Sequence, residues 1–256
     1  MLKRRIIPKL LLMPSKNSKQ LIAGTSKEYN SLRPTGLAES QAQIYQSSIS
    51  DELMVLVTSK ISLPLSEIKQ MLSKINSRVL MPVSFGGNIN SLEVAKSIFE
   101  TGIEKVIFNR AQYSNPLLIK QIAQKYGQQA VVISLDYYKT IDSQDVYVKV
   151  IDKFVRVNLS ATIESIERLG AGEICLNNVS RDGMLSGTDI ITLQSVRKFT
   201  NLPIIQSCGI GKIAHFVDAF HNGADAVAAG TFFSFLDQSI LQVRSHVKNS
   251  GIDIRS

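Results

Sequence analysis

Three groups of residues in this chain have the types and spacing to do chemistry. Asp136 closes the apolar run Val131-Val-Ile-Ser-Leu135. A carboxylate where a buried run ends suits a general acid or base, and it equally suits a loop cap. Gly86-Gly87 and Gly209-Ile-Gly211 each follow an apolar run, and Asn109-Arg110 and Gly230-Thr231 follow the next runs along. Glycine lets backbone N–H groups approach a phosphate closely, although turn glycines alone give the same pattern. Ser180-Arg-Asp-Gly183 adds polar groups that would sit beside the second pair. The last group is Arg5, Glu52, Lys105 and Glu173, two cations and two anions, each at or beside the start of an apolar run.

These groups fall into equivalent places because the chain repeats itself. Leu80-Met-Pro-Val-Ser-Phe-Gly-Gly matches Asn201-Leu-Pro-Ile-Ile-Gln-Ser-Cys in register, and the prolines (203 − 82), glycines (223 − 102) and glutamates (173 − 52) all give an interval of 121. A duplicated half-chain of four strand–helix units predicts an α/β chain that forms one (β/α)8 TIM barrel over 1–256. Eight apolar runs fit its parallel strands: Arg5–Leu12, Glu52–Val57, Leu80–Phe85, Lys105–Phe108, Ala130–Leu135, Glu173–Leu176, Leu202–Gln206 and Ala226–Ala229. Continuous apolar character, without strict alternation, is what strands covered by helices require.

Helical patterns lie between the runs. Ser91 reads as an N-cap, with Leu92, Ala95, Ile98 and Phe99 on one face and Gly102 as the stop; Asn115-Pro116 opens another helix. Segment 13–36 is polar and predicts an elongated first βα loop. Segment 137–158 is also long, and Val146–Val150 suggests a short hairpin. Both belong to the rim where such barrels carry their active sites. The four charges at strand starts belong to the opposite rim, where they either stabilise that face or close a central passage. His215, His221 and His246 fall in helical segments, which predicts positions far from the active rim.

Composition removes several classes. No apolar run reaches the roughly 18 residues that span a bilayer. The net charge of +8 is spread along the chain without a nucleic-acid-binding motif, so it reads as a solvated basic surface suited to phosphorylated small molecules. Two cysteines, Cys175 and Cys208, in strand contexts argue against a disulfide framework and for a reducing, cytoplasmic setting. No metal-ligand spacing and no cofactor motif is present, so neither is expected.

With Arg5-Ile-Ile-Pro8, Asp51-Glu-Leu53, Asn115-Pro116, Leu135-Asp136, Gly170-Ala-Gly-Glu173, Arg181-Asp-Gly183, Leu202-Pro-Ile-Ile205 and Gly223-Ala-Asp225, the chain resembles HisF over essentially its whole length. HisF is the cyclase subunit of imidazole glycerol phosphate synthase in histidine biosynthesis. The resemblance implies a glutaminase (HisH-like) subunit on the N-terminal face, with ammonia crossing the barrel to a bisphosphorylated substrate. It assigns Arg5, Glu52, Lys105 and Glu173 to an ammonia gate and Glu104 to the glutaminase interface. It assigns Gly87, Asn109, Asp182, Gly183, Ser207, Gly209 and Thr231 to phosphate sites, beside Gly86 and Gly230 from the glycine pattern, and Asp136 to catalysis.

The departures from the family pattern bear on the reaction. Leu11 stands where the family has a second catalytic aspartate and Val57 replaces an acid; Asn88 replaces the third glycine of the first phosphate loop, Arg110 the threonine after Asn109, and Asn177 the usual threonine of strand six. The family's mobile-loop lysine has Lys19 and Lys27 as candidates. Leucine can neither give nor take a proton, so the family's lyase-type cyclase activity is in doubt while the gate is retained. That combination resembles the HisF-like paralogue encoded with bacterial surface-polysaccharide genes, which supplies ammonia for an acetamidino sugar. The leading expectation is therefore an ammonia-channelling subunit for amidino-sugar formation, with a third amidotransferase or synthetase protein left open. An authentic cyclase and a non-catalytic glutaminase-binding scaffold are the alternatives.

Overall fold

A computed structural model describes residues 3–15, 21–28, 31–57, 63–139, 146–150, 153–236 and 239–255. Eight parallel strands form the barrel: β1 (Arg5–Pro14), β4 (Leu53–Leu56), β5 (Val83–Gly86), β6 (Lys105–Phe108), β7 (Val131–Lys139), β10 (Glu173–Asn178), β11 (Ile204–Ser207) and β12 (Ala226–Ala229). They run in the order β10-β11-β12-β1-β4-β5-β6-β7, and pairing of β7 with β10 closes the ring. The duplication survives in the coordinates. The starts of β5 and β11 (204 − 83), and of β6 and β12 (226 − 105), are again 121 apart.

Two strands start later than the apolar runs do. Pro82 and Pro203 precede β5 and β11 and lack an N–H for the ladder. Their carbonyls still accept bonds, from Leu53 N at 2.9 Å and Ile174 N at 2.9 Å. Two strands run longer because antiparallel partners extend them at the upper rim. β7 continues to Lys139, paired with β8 (Val146–Val150), which pairs in turn with β9 (Lys153–Arg156). The hairpin expected at Val146–Val150 is present in this form.

The segment expected to be an elongated loop is mostly a hairpin. β2 (Leu21–Lys27) pairs antiparallel with the end of β1, and β3 (Ser31–Leu37) pairs with β2. Leu21 and Ala23 are buried in the outer core, and that burial gives the polar-looking segment an ordered face. Lys19 lies outside the described residues, as do Thr58 and Ser59 after β4.

Helices cover the barrel: α1 (Ala38–Ser47), α2 (Leu65–Asn76), α3 (Leu92–Phe99), α4 (Ala111–Ser114), α5 (Pro116–Tyr126), α6 (Leu159–Arg168), α7 (Ile190–Arg197), α8 (Ala214–His221), α9 (Thr231–Phe235) and α10 (Ile240–Asn249). Ser91 Oγ accepts from Val94 N at 3.2 Å, and Asn115 Oδ1 from Leu118 N at 3.3 Å, as their cap positions predict. Asp51 ties the two chain ends together. Its carboxylate accepts from Ile6 N and from Arg244 of α10, both at 2.7 Å.

Apolar packing divides into two shells. Ile6, Leu10 and Leu12 of β1 face outward into the large shell between strands and helices. Ile7, Met54, Ile107, Val132, Cys175, Ile205, Ala226 and Ala228 form a separate inner layer inside the barrel. The period-2 alternation of a strand therefore puts Arg5, Ile7, Lys9 and Leu11 on one inward face, at intervals of about 6–7 Å.

Phe85, fully buried in the outer shell, is a direct test of that packing. Phe85→Ala is expected to lower the unfolding free energy by about 3–5 kcal/mol, read as a lower midpoint in urea denaturation.

Candidate functional site

The lower end of the bore is closed by a ring of alternating charge. Arg5 reaches Glu52 at 2.7 Å and Glu173 at 3.1 Å, while Lys105 reaches the same oxygens at 2.8 and 3.0 Å. All four residues come from strand starts, so strand geometry alone brings together residues up to 168 positions apart (173 − 5). Burial works against the Arg5 cation, but Glu173 and Glu52 outweigh it and hold its pKa above the ordinary value. Each glutamate uses one oxygen for both cations. Glu52 Oε1 and Glu173 Oε2 are buried without a hydrogen-bond partner among the described residues.

Around this ring the lower face exposes apolar side chains. Leu80 is 93% exposed, Ile49 56% and Phe199 45%. Gln46 Oε1 accepts from Leu80 N at 2.7 Å and Met81 N at 2.9 Å, fixing the loop that presents Leu80. Glu104 is exposed immediately before β6, on the same face.

At the upper end, a cleft lies between the first hairpin and the ends of β11 and β12. Its lining includes Lys9, Leu11, Thr25, Ser26, Asp182, Gly183, Gly209, Gly230 and Thr231. Ser26 Oγ donates to Asp182 at 2.5 Å and Glu28 N to the Asp182 carbonyl at 2.9 Å, which fastens the hairpin over the cleft. Gly183 is needed at this crossing. A Cβ there would stand 2.5 Å from the Ser26 carbonyl oxygen, and its φ is +68°. Gly209 is under similar constraint, with Gly187 O only 2.1 Å from where its Cβ would be.

The cleft thus gathers Asp182, Gly183, Gly209, Gly230 and Thr231 from the residues expected at phosphate sites, with Ser207 just behind them, bonded to Lys9 at 3.2 Å. Gly86, Gly87 and Asn109 are not among its lining residues. The glycine pair answers a packing need as well: Cβ atoms at Gly86 and Gly87 would lie 2.9 Å from Leu56 Cδ2 and 2.7 Å from Val57 Cβ. Asn109 Nδ2 donates to Ser134 O at 3.2 Å. Asp136 lies within β7, opposite Asn177 of β10, and accepts from Asn177 Nδ2 at 3.3 Å. Burial raises the nearby Tyr113 hydroxyl to about 12, with the Asp136 charge adding to the effect.

Leu11 lines the cleft and is 5% exposed, so the strand-one position that faces the cleft is apolar. The residue beneath it carries the charge. Lys9 was not singled out by sequence reasoning, although strand parity from Arg5 points it inward. Burial opposes its charge, but attraction from Cys208, Asp182, Cys175 and Asp136 outweighs it and raises its pKa. Near neutral pH the carboxylates provide that attraction, because burial pushes the Cys208 thiol up to about 12 and Cys175 higher still.

His215 corrects an expectation. It lies in the first turn of α8, and its Nδ1 accepts from Gly211 N at 3.1 Å, which places it on the upper rim beside the second glycine motif. Burial lowers its pKa, favouring the neutral ring. His221 and His246 lie in the last turns of α8 and α10. No cluster able to hold a metal ion exists among the described residues, and none of their helices is long and apolar enough to cross a membrane.

The signature of the family described as histidine biosynthesis protein matches residues 5–239. The chain belongs to that family. Its relatives place it with the HisF proteins. A Prochlorococcus marinus protein provisionally named imidazole glycerol phosphate synthase subunit hisF2 is 36% identical over 258 residues, spanning 100% of this chain and 99% of its own length. Imidazole glycerol phosphate synthase subunit HisF of Chlorobium phaeovibrioides is 34% identical over 257 residues, covering 100% of both chains. The HisF subunit of a Thermotoga species is 33% identical over 237 residues, covering 92% of each.

Removing one cation from a buried pair leaves an uncompensated carboxylate. Lys105→Met is accordingly expected to reduce stability by about 3 kcal/mol, measured by chemical denaturation at low and high salt.

Proposed function

We propose that this HisF-family chain pairs with a glutaminase on its lower face and conducts ammonia through the barrel to an amination on the upper rim, in amidino-sugar formation for a surface polysaccharide. The observation that carries this reading is the combination along one strand: Arg5 in the charged ring at one end, Leu11 in the cleft at the other. Leu80, Ile49 and Phe199 offer the apolar surface a subunit interface needs. The inner layer above the ring admits neutral ammonia and opposes ammonium, because burying an unpaired charge is far more costly than burying a small neutral polar group. Glu52 Oε1 and Glu173 Oε2 offer acceptors for its N–H groups at the entrance.

The names of the relatives favour a second reading, the cyclase subunit of imidazole glycerol phosphate synthase. Asp136 is the residue that would serve it, without the second carboxylate. Loss of one member of an acid–base pair removes about 10²–10⁴ in rate. Turnover of the histidine-pathway bisphosphate by the purified glutaminase complex is therefore expected to lag a HisF relative by that margin. Parity in this assay would overturn the proposal in favour of the cyclase.

A bulky side chain in the inner layer separates conduction from scaffolding. In the host strain, Ile7→Trp is expected to remove the amidino group from the polysaccharide, as read by mass spectrometry. Glutaminase activity of the purified complex should persist. Retained amidination would mean that nothing passes through the bore.

A further inference from the structure

Lys9 places a cation where the bore opens into the upper chamber. Strand parity sets it on the inward face of β1, one level above Ile7 of the inner layer and one below Leu11 of the cleft. Its Nζ donates to Ser207 Oγ at 3.2 Å and stands 3.9 Å from Asp182 Oδ1. Ser26 bonds the other oxygen of that carboxylate, so Oδ1 is the one turned to the ammonium. Cys208 Sγ lies 3.8 Å from each of those two oxygens and completes a small polar set. The set is closed to bulk water: Ser207 is fully buried and the Lys9 side chain is 10% exposed.

A carboxylate and a hydroxyl turned to one buried point favour a positive charge there. With the lysine side chain cut short, an ammonium ion would have the charge and the N–H donors to take its place. That would matter to a chain conducting ammonia. Ammonia is mostly protonated in neutral water, and a nearby carboxylate stabilises the protonated form further. Ammonium has no lone pair and cannot attack an electrophilic carbon. We propose that Lys9 is a tethered substitute for ammonium, which keeps the cation position beside Ser207 and Asp182 filled so that ammonia leaving the bore stays neutral and reactive. No bond is made or broken in this role. The side-chain charge stands where a proton captured by ammonia would otherwise be held. The role rests on ammonia crossing the bore, whereas the cation position itself is a property of the chain alone.

The test is the urea midpoint of the full chain in ammonium chloride and in tetramethylammonium chloride at equal ionic strength. The second cation is too large for the position. Lys9→Ala should be stabilised saturably by ammonium alone, as linkage to a native-state site requires, and wild type should respond to both salts alike. Should Lys9→Ala fail to fold in either salt, Lys9→Ser, which keeps a polar atom beside Ser207, is put through the same comparison. In the host strain the folded variant should lose most of the amidino group from the polysaccharide, read by mass spectrometry, while glutaminase activity of the purified complex persists. An ammonium-specific response in wild type, or none in the variant, overturns the filled cation position. Unchanged amidination in a variant that binds ammonium overturns the part Lys9 plays in delivery. Failure of conduction as a whole shows separately, as amidination retained in Ile7→Trp, and leaves the salt comparison standing.

Discussion

Closing eight parallel strands into a ring gives each strand a single inward face, and every inward side chain must then share one narrow space. This constraint organises the molecule from end to end. On β1 it stacks Arg5, Ile7, Lys9 and Leu11 in ascending order, and the other strands complete each level. The result is a charged floor, an apolar middle and a polar chamber below an apolar lip. No loop is needed to assemble the floor, because strand starts already meet there. The upper cleft, in contrast, depends on the hairpin that β1 grows beyond the barrel.

Charge is tolerated at two depths for different reasons. In the floor, Arg5 and Lys105 alternate with Glu52 and Glu173, so each cation touches both anions and the ring neutralises itself. Such a ring is a poor source of net stability, since desolvation offsets much of the attraction. In the proposed function its role lies instead at the bore entrance. Lys9 has no comparable set of partners at contact distance. Its positive charge is sustained by carboxylates a little farther off.

Much of this was legible in the residues. The duplication and the apolar runs gave the strand count, and strand starts at Lys105 and Ala226 fall where the sequence put them. The glutamate–lysine–arginine set needed only the knowledge that strand starts share a rim. Three things were not legible, each for a physical reason. The 13–36 segment looked like a loop because its buried face is made by few residues, chiefly Leu21 and Ala23, amid polar ones. His215 was misplaced because helix membership says nothing about which end of the helix a residue occupies. Lys9 was overlooked because a lysine in an apolar run reads as an interruption, whereas counting in twos from Arg5 would have turned it inward.

The crossing between the first hairpin and the turn after β10 carries an implication for how proteins of this shape diverge. Ser26 and Glu28 grip Asp182, and the glycine beside it leaves no room for a side chain against the hairpin backbone. Two segments more than 150 residues apart (182 − 26) have thus become a single mechanical part. A lineage that remodels one without the other would lift the flap from the mouth. Changes to substrate choice along this edge should arrive as matched pairs of substitutions, and isolated ones should be rare.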